Sequence, residues 1–173
     1  MAGAAASTPS RTERSPDLFE PVLGVRFWRV SAAGGLRCLV GRELWLPGVN
    51  TATCWRRHHQ APSRLCDCGF NALHRLPESD DERHRGTILG AIAAWGQIDV
   101  HRRGFRAQHA SVIALAEGGV ARPPSRRRLL RAAERYSVPL VPSGSLSAVA
   151  MGSARPLDPV LLPGRRATAE STI

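Results

Sequence analysis

The sequence predicts an α+β fold that is mainly antiparallel β, arranged as a rolled sheet or partly open barrel, with one C-terminal helix. Three observations lead to this prediction. The 16 Gly and 13 Pro residues among 173 favour many turns and disfavour a helix bundle. Apolar and polar residues alternate in short runs that are separated by turn signals, as is typical of antiparallel strands. A clear helical pattern is found only near the C-terminal end of the predicted domain.

Two hairpins account for most of the predicted sheet. Residues 24–30 alternate and run into a Ser-Ala-Ala-Gly-Gly turn, after which residues 36–40 resume an extended pattern. Residues 87–101 and 105–115 are predicted to pair through a tight connection at residues 102–104. The Ala-rich centre of the first of these segments, residues 91–95, is also compatible with a helix.

Further elements are a strand at residues 70–76, a turn at residues 47–50 and one helix. Pro123 and Pro124 end the preceding structure, and Ser125 is an expected N-cap. The apolar residues that follow recur on one side of a helix that ends near Ser137, before a proline.

The compact domain is expected over residues 22–142. Residues 1–21 and 143–173 are rich in Ala, Ser, Gly, Pro and Arg and lack apolar periodicity, so both are expected to be disordered tails. No stretch resembles a signal peptide or approaches the roughly 20 apolar residues of a membrane span. The sequence therefore predicts a cytoplasmic protein without a membrane segment.

Potential metal ligands are concentrated between residues 54 and 68. Three of the four cysteines and two of the six histidines lie in these 15 consecutive residues. If residues 66–68 are extended, the thiols of Cys66 and Cys68 project from one face of the strand and Asp67 faces away. Gly69 then lets the backbone turn close to the sulfurs. The spacing predicts a loop and an adjoining strand that converge on one ion.

The predicted ligands of a structural Zn²⁺ are Cys54, His59, Cys66 and Cys68. Three thiolates and one imidazole fill a tetrahedral shell, and binding would order a Gly-rich loop. His58 and His74 are alternative fourth ligands. The competing interpretation is that the two later cysteines are small apolar residues of a strand and that the histidines are exposed in a loop. Cys38 is expected to be a core thiol.

The chain has a formal charge of +10 and a pI near 11.3, with arginine as its sole strongly basic residue. A GC-rich genome would also favour arginine, but the positive field itself attracts nucleic acid or an acidic partner protein. The predicted contact residues are Arg102, Arg103, Arg106, Arg126, Arg127, Arg128 and Arg131. The arginines of the helix are alternatively a solvated face, and Arg106 alternatively pairs with Asp99 and locks the hairpin.

These features predict a non-enzymatic binding or regulatory module with a structural zinc knuckle and an Arg-rich surface. The alternative is a small enzyme acting on a phosphate-bearing or nucleotide ligand, with Arg106 binding the anion and His109 transferring a proton. The sequence contains no complete nucleophile-elbow, P-loop, dinucleotide-binding or His-Glu-x-x-His motif, so it offers no support for the corresponding enzyme classes.

The chain resembles an uncharacterised family of small proteins from actinobacteria and their phages over residues 25–115. The resemblance rests on a Trp-Leu-Pro-Gly turn at residues 45–48, Cys54, the His-x-x-Pro stretch at residues 59–62, Cys-x-Cys-Gly at residues 66–69, Trp-Gly at residues 95–96 and Gly-Phe-Arg-Ala at residues 104–107. It implies that both blocks belong to one domain, and it implies no activity.

Overall fold

The computed structural model describes residues 17–40, 43–54, 56–57, 59–76 and 85–163. Within these ranges the chain forms one seven-stranded sheet and two α-helices. The strands are β1 (Asp17–Val30), β2 (Leu36–Arg37), β3 (Val49–Thr51), β4 (Phe70–Leu73), β5 (Thr87–Val100), β6 (Gly104–Glu117) and β7 (Leu140–Pro142). The helices are α1 (Arg126–Tyr136), between β6 and β7, and α2 (Leu146–Ala150), after β7.

Three long strands organise the sheet. β5 lies between β1 and β6 and pairs antiparallel with both. β4 pairs antiparallel with β6 and also meets β1, where Val25 lies opposite Leu73. Because β4 thereby joins the two outer long strands, the sheet is partly closed. The remaining short strands add β2 to β1, β3 to β6, and β7 to β6 in parallel. The predicted mainly antiparallel α+β fold is confirmed.

Both faces of β5 are buried, so the strand is apolar almost throughout instead of alternating strictly. Ile88 and Ile92 belong to the core cluster that includes Leu129 of α1. Leu89 belongs to a second cluster, on the opposite face, that includes Leu146 of α2. The two helices therefore complete two core layers on either side of the sheet.

Both predicted hairpins are confirmed. Val30 pairs with Leu36, and the turn between them is closed by the Ser31 amide, which donates to the Gly35 carbonyl oxygen at 2.9 Å. β5 and β6 are joined by a short turn in which the His101 amide donates to a carbonyl oxygen at 2.8 Å. Residues 91–95 lie in β5, so the helical alternative for this segment is wrong.

Two glycines allow backbones to approach each other at the positions that the sequence indicated. Gly96 has φ +75° and lies at a register shift between β5 and β6. A Cβ added to Gly96 would lie 2.7 Å from the ring of His109. A Cβ added to Gly104 would lie 2.0 Å from the backbone oxygen of Ala72 in β4. Glycine at these positions permits the bulge in β5 and the close contact of β4 with β6.

The predicted helix is confirmed as α1. It follows Ser125, whose side chain makes no capping hydrogen bond, and it ends at Ser137, which has φ +53°. Its last residue, Tyr136, is buried and ties the helix to the N-terminal part of the sheet. The tyrosine hydroxyl donates to the Trp45 carbonyl oxygen at 2.6 Å and accepts from the Leu36 amide at 3.0 Å.

The folded chain extends beyond the expected boundaries at both ends. β1 begins at Asp17 instead of residue 22, and residues 143–163 include α2 and two short 3-10 turns. The Arg155 amide donates to the Pro21 carbonyl oxygen at 3.0 Å, and the Leu23 amide donates to the Arg155 carbonyl oxygen at 2.6 Å. Buried residues of this segment are Leu146, Ala150, Ala154 and Leu157.

The expectation of disorder therefore does not hold for residues 143–163. Their Ser, Gly and Ala content suits a segment that fits closely over the small residues of the second core layer, so low complexity here reflects close packing. The rest of the two expected tails, residues 1–16 and 164–173, lies outside the described residues.

Candidate metal centre

The loop between β3 and β4, residues 52–69, carries the predicted ligands and is called the metal loop below. Thr53 and Gln60 form an antiparallel bridge. The bridge places Cys54 opposite His59, at the two ends of the short segment between them. A second bridge joins Ser63 and Cys66, and the Cys66 amide donates to the Ser63 carbonyl oxygen at 3.0 Å. Two local turns thus bring distant ligands to one place.

Four donor atoms converge in the metal loop. One atom from each of the predicted ligands Cys54, His59, Cys66 and Cys68 lies within 4.8 Å of all the others. The sulfurs of Cys54 and Cys66 are 3.7 Å apart, and the Cys68 sulfur is 4.0 Å from Nε2 of His59. Ideal tetrahedral zinc bonds separate two sulfurs by about 3.8 Å and a sulfur from a nitrogen by about 3.6 Å. These two distances are close to those around a tetrahedral ion, and the other donor pairs lie within 4.8 Å.

The His59 ring is held in the tautomer that a metal ligand needs. Nδ1 lies 2.8 Å from the carbonyl oxygen of Gln60, which can only accept a hydrogen bond. Nδ1 therefore carries the proton, and the lone pair of Nε2 faces the sulfurs. A carbonyl partner that orients a histidine in this way is typical of metal-ligating imidazoles.

Backbone amides support the two thiols of the Cys-x-Cys sequence. The Cys68 amide hydrogen bond to the sulfur of Cys66 is the main cause that lowers the pKa of Cys66, with a further contribution from the positive charge of Arg57. Burial is the main cause that raises the pKa of Cys68 to about 11, and a hydrogen bond from the Ser63 backbone opposes it. A bound cation would hold both as thiolates.

Gly69 follows the two thiols with φ +110°, and an added Cβ would lie 3.0 Å from Pro62 and 3.2 Å from the Cβ of Arg106. The predicted close turn at this glycine is confirmed. The metal loop consequently packs directly against β6.

The other candidate ligands have different positions. Nε2 of His74 bonds the carbonyl oxygen of His101 at 2.8 Å, and His74 does not belong to the cluster. His58 lies outside the described residues. Cys38 is buried in the core, where it accepts a hydrogen bond from Arg26 at 3.3 Å, as expected for a core thiol.

A buried ion pair lies beneath the metal loop. Asp99 and Arg106 occupy paired positions on β5 and β6 and are 6% and 7% exposed. The Arg106 guanidinium donates to the Asp99 carboxylate and to the backbone carbonyl oxygen of Cys66, and its Nε lies 3.2 Å from Nε2 of His101. The sequence was compatible with this pairing or with an exposed anion site. The structure shows the pairing: Arg106 is buried, and its guanidinium nitrogens are hydrogen-bonded to other residues of the protein.

The remaining predicted contact arginines are exposed but divided between two places. Arg102 and Arg103 form the β5–β6 turn, at the end of the sheet next to the metal loop. The four predicted arginines of α1 lie at the opposite end of β6, where Arg126 pairs with Glu117 at 2.9 Å. Arg131 donates to the Ala32 carbonyl oxygen at 3.2 Å. The seven arginines therefore do not form one surface.

Sequence reasoning did not include the arginines of the metal loop itself, two of which lie near Cys66 or Asp99. Arg57 is exposed and lies close enough to Cys66 to affect its pKa. Nε of Arg64 lies 3.9 Å from the Asp99 carboxylate, and its side chain is 53% exposed. Their position beside the ligands in the sequence was the available signal. These two and the two turn arginines, called the tip arginines below, are Arg57, Arg64, Arg102 and Arg103.

The alternative enzymatic site is not assembled. Arg106 and His109 are three residues apart on β6, so their side chains leave opposite faces of the strand. His109 stacks against Trp95 with ring centroids 5.9 Å apart, and its Nδ1 lies 3.1 Å from the Thr51 hydroxyl. A groove of about 340 Å³ beside it is lined mainly by apolar side chains from β5 and β6 and does not include Arg106.

No protein-family model, curated protein or solved structure matches the chain. Among the described residues, no helix has the length and apolar character needed to cross a membrane. The fold and the donor cluster thus define the class: a small, mainly antiparallel β domain with a potential metal site of three cysteines and one histidine.

Proposed function

We propose that this protein is a non-enzymatic nucleic-acid-binding module in which a structural Zn²⁺ orders the metal loop and the tip arginines contact phosphates. The convergence of the four donor atoms within 4.8 Å is the observation that carries the proposal. The donor chemistry supports zinc, since three thiolates with one imidazole form a soft tetrahedral set. Four protein ligands leave no open coordination position, so the ion is structural and not catalytic.

A bound ion would tie the two parts of the metal loop together. The loop contains two short bridges and two turns; Ala61 and Pro62 are buried, whereas Leu65 at the end of the second turn is 85% exposed. Metal binding supplies folding free energy to a segment of this kind. The four free cysteines also support a reducing compartment, consistent with the cytoplasmic location expected from the sequence.

The tip arginines support a polyanionic partner. They are exposed, they lie at the end of the sheet that carries the metal loop, and the whole chain has a formal charge of +10. Neutralisation of phosphates by arginine releases counterions, so affinity depends steeply on salt concentration. Arg126 and Arg131 of α1 are hydrogen-bonded to protein oxygens at 2.9 and 3.2 Å, whereas Arg64 of the tip lies 3.9 Å from the Asp99 carboxylate.

Two matched double variants test this assignment. Arg102→Ala/Arg103→Ala removes two charges at the tip, whereas Arg127→Ala/Arg128→Ala removes two exposed charges from α1. Affinity for a labelled DNA duplex of about 20 base pairs is measured by fluorescence anisotropy between about 50 and 200 mM salt. The tip variant should reduce the slope of log K against log salt by about 1.8, and the α1 variant should leave it nearly unchanged.

Three results would overturn the assignment. Affinity of the unaltered protein that does not change over this salt range would exclude phosphate contacts. If the α1 variant lowers the salt dependence of binding as much as the tip variant does, the overall charge of the protein and not the tip arginines determines the affinity. A polyglutamate chain that displaces the duplex at equal charge concentration would indicate an acidic protein partner instead of nucleic acid.

A further inference from the structure

Arg106 is the point at which the metal loop is attached to the sheet. It is 7% exposed on β6, and its guanidinium donates both to the Asp99 carboxylate and to the backbone carbonyl oxygen of Cys66. Its Cβ also lies against Gly69, where an added methyl would be 3.2 Å away.

Fold stability alone does not account for this buried pair. Removing an arginine and an aspartate from water is costly, and apolar residues of similar volume often serve a core equally well. Asp99 directs the guanidinium, because its carboxylate is 6% exposed and faces Arg106, Arg64 and His101. What the pair adds is a fixed, charge-assisted donor aimed at the Cys66 carbonyl.

The Cys66 carbonyl belongs to the peptide that leads into Asp67 and on to Cys68. Fixing that peptide fixes the turn in which the Cys68 amide donates to the sulfur of Cys66. We propose that Arg106 is the positioning residue of the metal centre: through the Cys66 carbonyl it sets the directions of both thiolates and so determines the affinity for the ion. This inference rests on the proposed zinc site and concerns how that site is preorganised.

The test removes both charges together, so that neither is left buried without a partner. The full chain carrying Asp99→Leu/Arg106→Met is compared with the unaltered protein in zinc affinity, measured by competition with a chromophoric chelator. Affinity should fall by about 10- to 100-fold, as is usual when an outer contact of a metal ligand is lost. The absorption bands of the Co²⁺-substituted protein should shift as well, which a change in overall stability would not cause.

A matched control and a conservative variant complete the test. Glu117→Gln/Arg126→Gln removes an exposed ion pair at the far end of β6 and should leave zinc affinity unchanged within about twofold. Arg106→Lys keeps a cation beside Asp99 but lacks the planar fork that reaches two acceptors, so it should weaken zinc binding even if the double variant does not fold.

Unchanged zinc affinity in a folded double variant, or in Arg106→Lys, would overturn the role of Arg106 while leaving the zinc site intact. Absence of zinc binding by the unaltered protein would overturn the proposed function and this inference together. The two failures are therefore distinguishable.

Discussion

Zinc affinity should rise with pH. The proton that Cys68 loses on binding sets the smallest slope expected for the logarithm of the affinity against pH. Burial raises the pKa of this thiol to about 11, so the metal-free protein holds its proton throughout the neutral range. The ion binds the thiolate, and each binding event must release that proton. Protons therefore compete with zinc, and affinity falls as the pH falls.

The magnitude follows from one displaced proton. Because pH 8 is about three units below the pKa of Cys68, the thiol remains almost fully protonated there. Cys68 alone should therefore change zinc affinity about tenfold per pH unit, or about 100-fold between pH 6 and pH 8, equivalent to about 2.7 kcal/mol. Cys66 should add less to the slope than an unperturbed thiol would, because the backbone hydrogen bond from Cys68 lowers its pKa.

Two measurements check the slope. Competition with a chromophoric chelator gives the zinc affinity at each pH once the chelator's own protonation is included. Calorimetry in buffers of different ionisation enthalpy counts the released protons, and at least one per zinc is expected. Cys38→Ala serves as the control, because this thiol lies in the core outside the cluster and its removal should leave the slope unchanged. Zinc affinity that is independent of pH between 6 and 8 would show that the ion does not displace the Cys68 proton.

Two further predictions concern the framework of the site. Tyr136→Phe leaves the Leu36 amide and the Trp45 carbonyl without their buried partner, so the free energy of unfolding in urea should fall by about 2–5 kcal/mol; a loss below about 0.5 kcal/mol would contradict this. Gly104→Ala places a Cβ 2.0 Å from a backbone oxygen of β4, so it should destabilise by about 3 kcal/mol or more, whereas Gly144→Ala, with open space around it, should be nearly neutral. Equal melting temperatures for the two glycine variants would contradict the close contact of β4 with β6.

Local patterns were sufficient to predict most of the sheet and the location of the donor cluster. Two apolar segments and a short turn predict the β5–β6 hairpin. The concentration of cysteine and histidine within 15 consecutive residues predicts the donor cluster. His59 could not be separated from His58 by spacing, because the choice depends on the bridge between Thr53 and Gln60. That bridge is a property of the folded loop and has no sequence signature.

Long-range contacts were the part that patterns could not give. The sequence left two interpretations of Arg106 open, an anion ligand or a partner of Asp99, and the register of β5 against β6 shows that it pairs with Asp99. Its contact with the metal loop had no sequence signal. The segment after residue 142 was assigned to a tail because it lacks large apolar residues, yet its Leu146 is fully buried against the second face of the sheet. The division of the arginines between two ends of β6 likewise depends on topology.

The most direct test of the metal centre is native mass spectrometry of the full chain after expression in zinc-supplemented medium. The protein should carry one zinc ion per chain, and single Ser substitutions of Cys54, Cys66 or Cys68 should each remove it, while Cys38→Ser should retain it. A metal-free unaltered protein, or full zinc occupancy in all three ligand variants, would contradict the account.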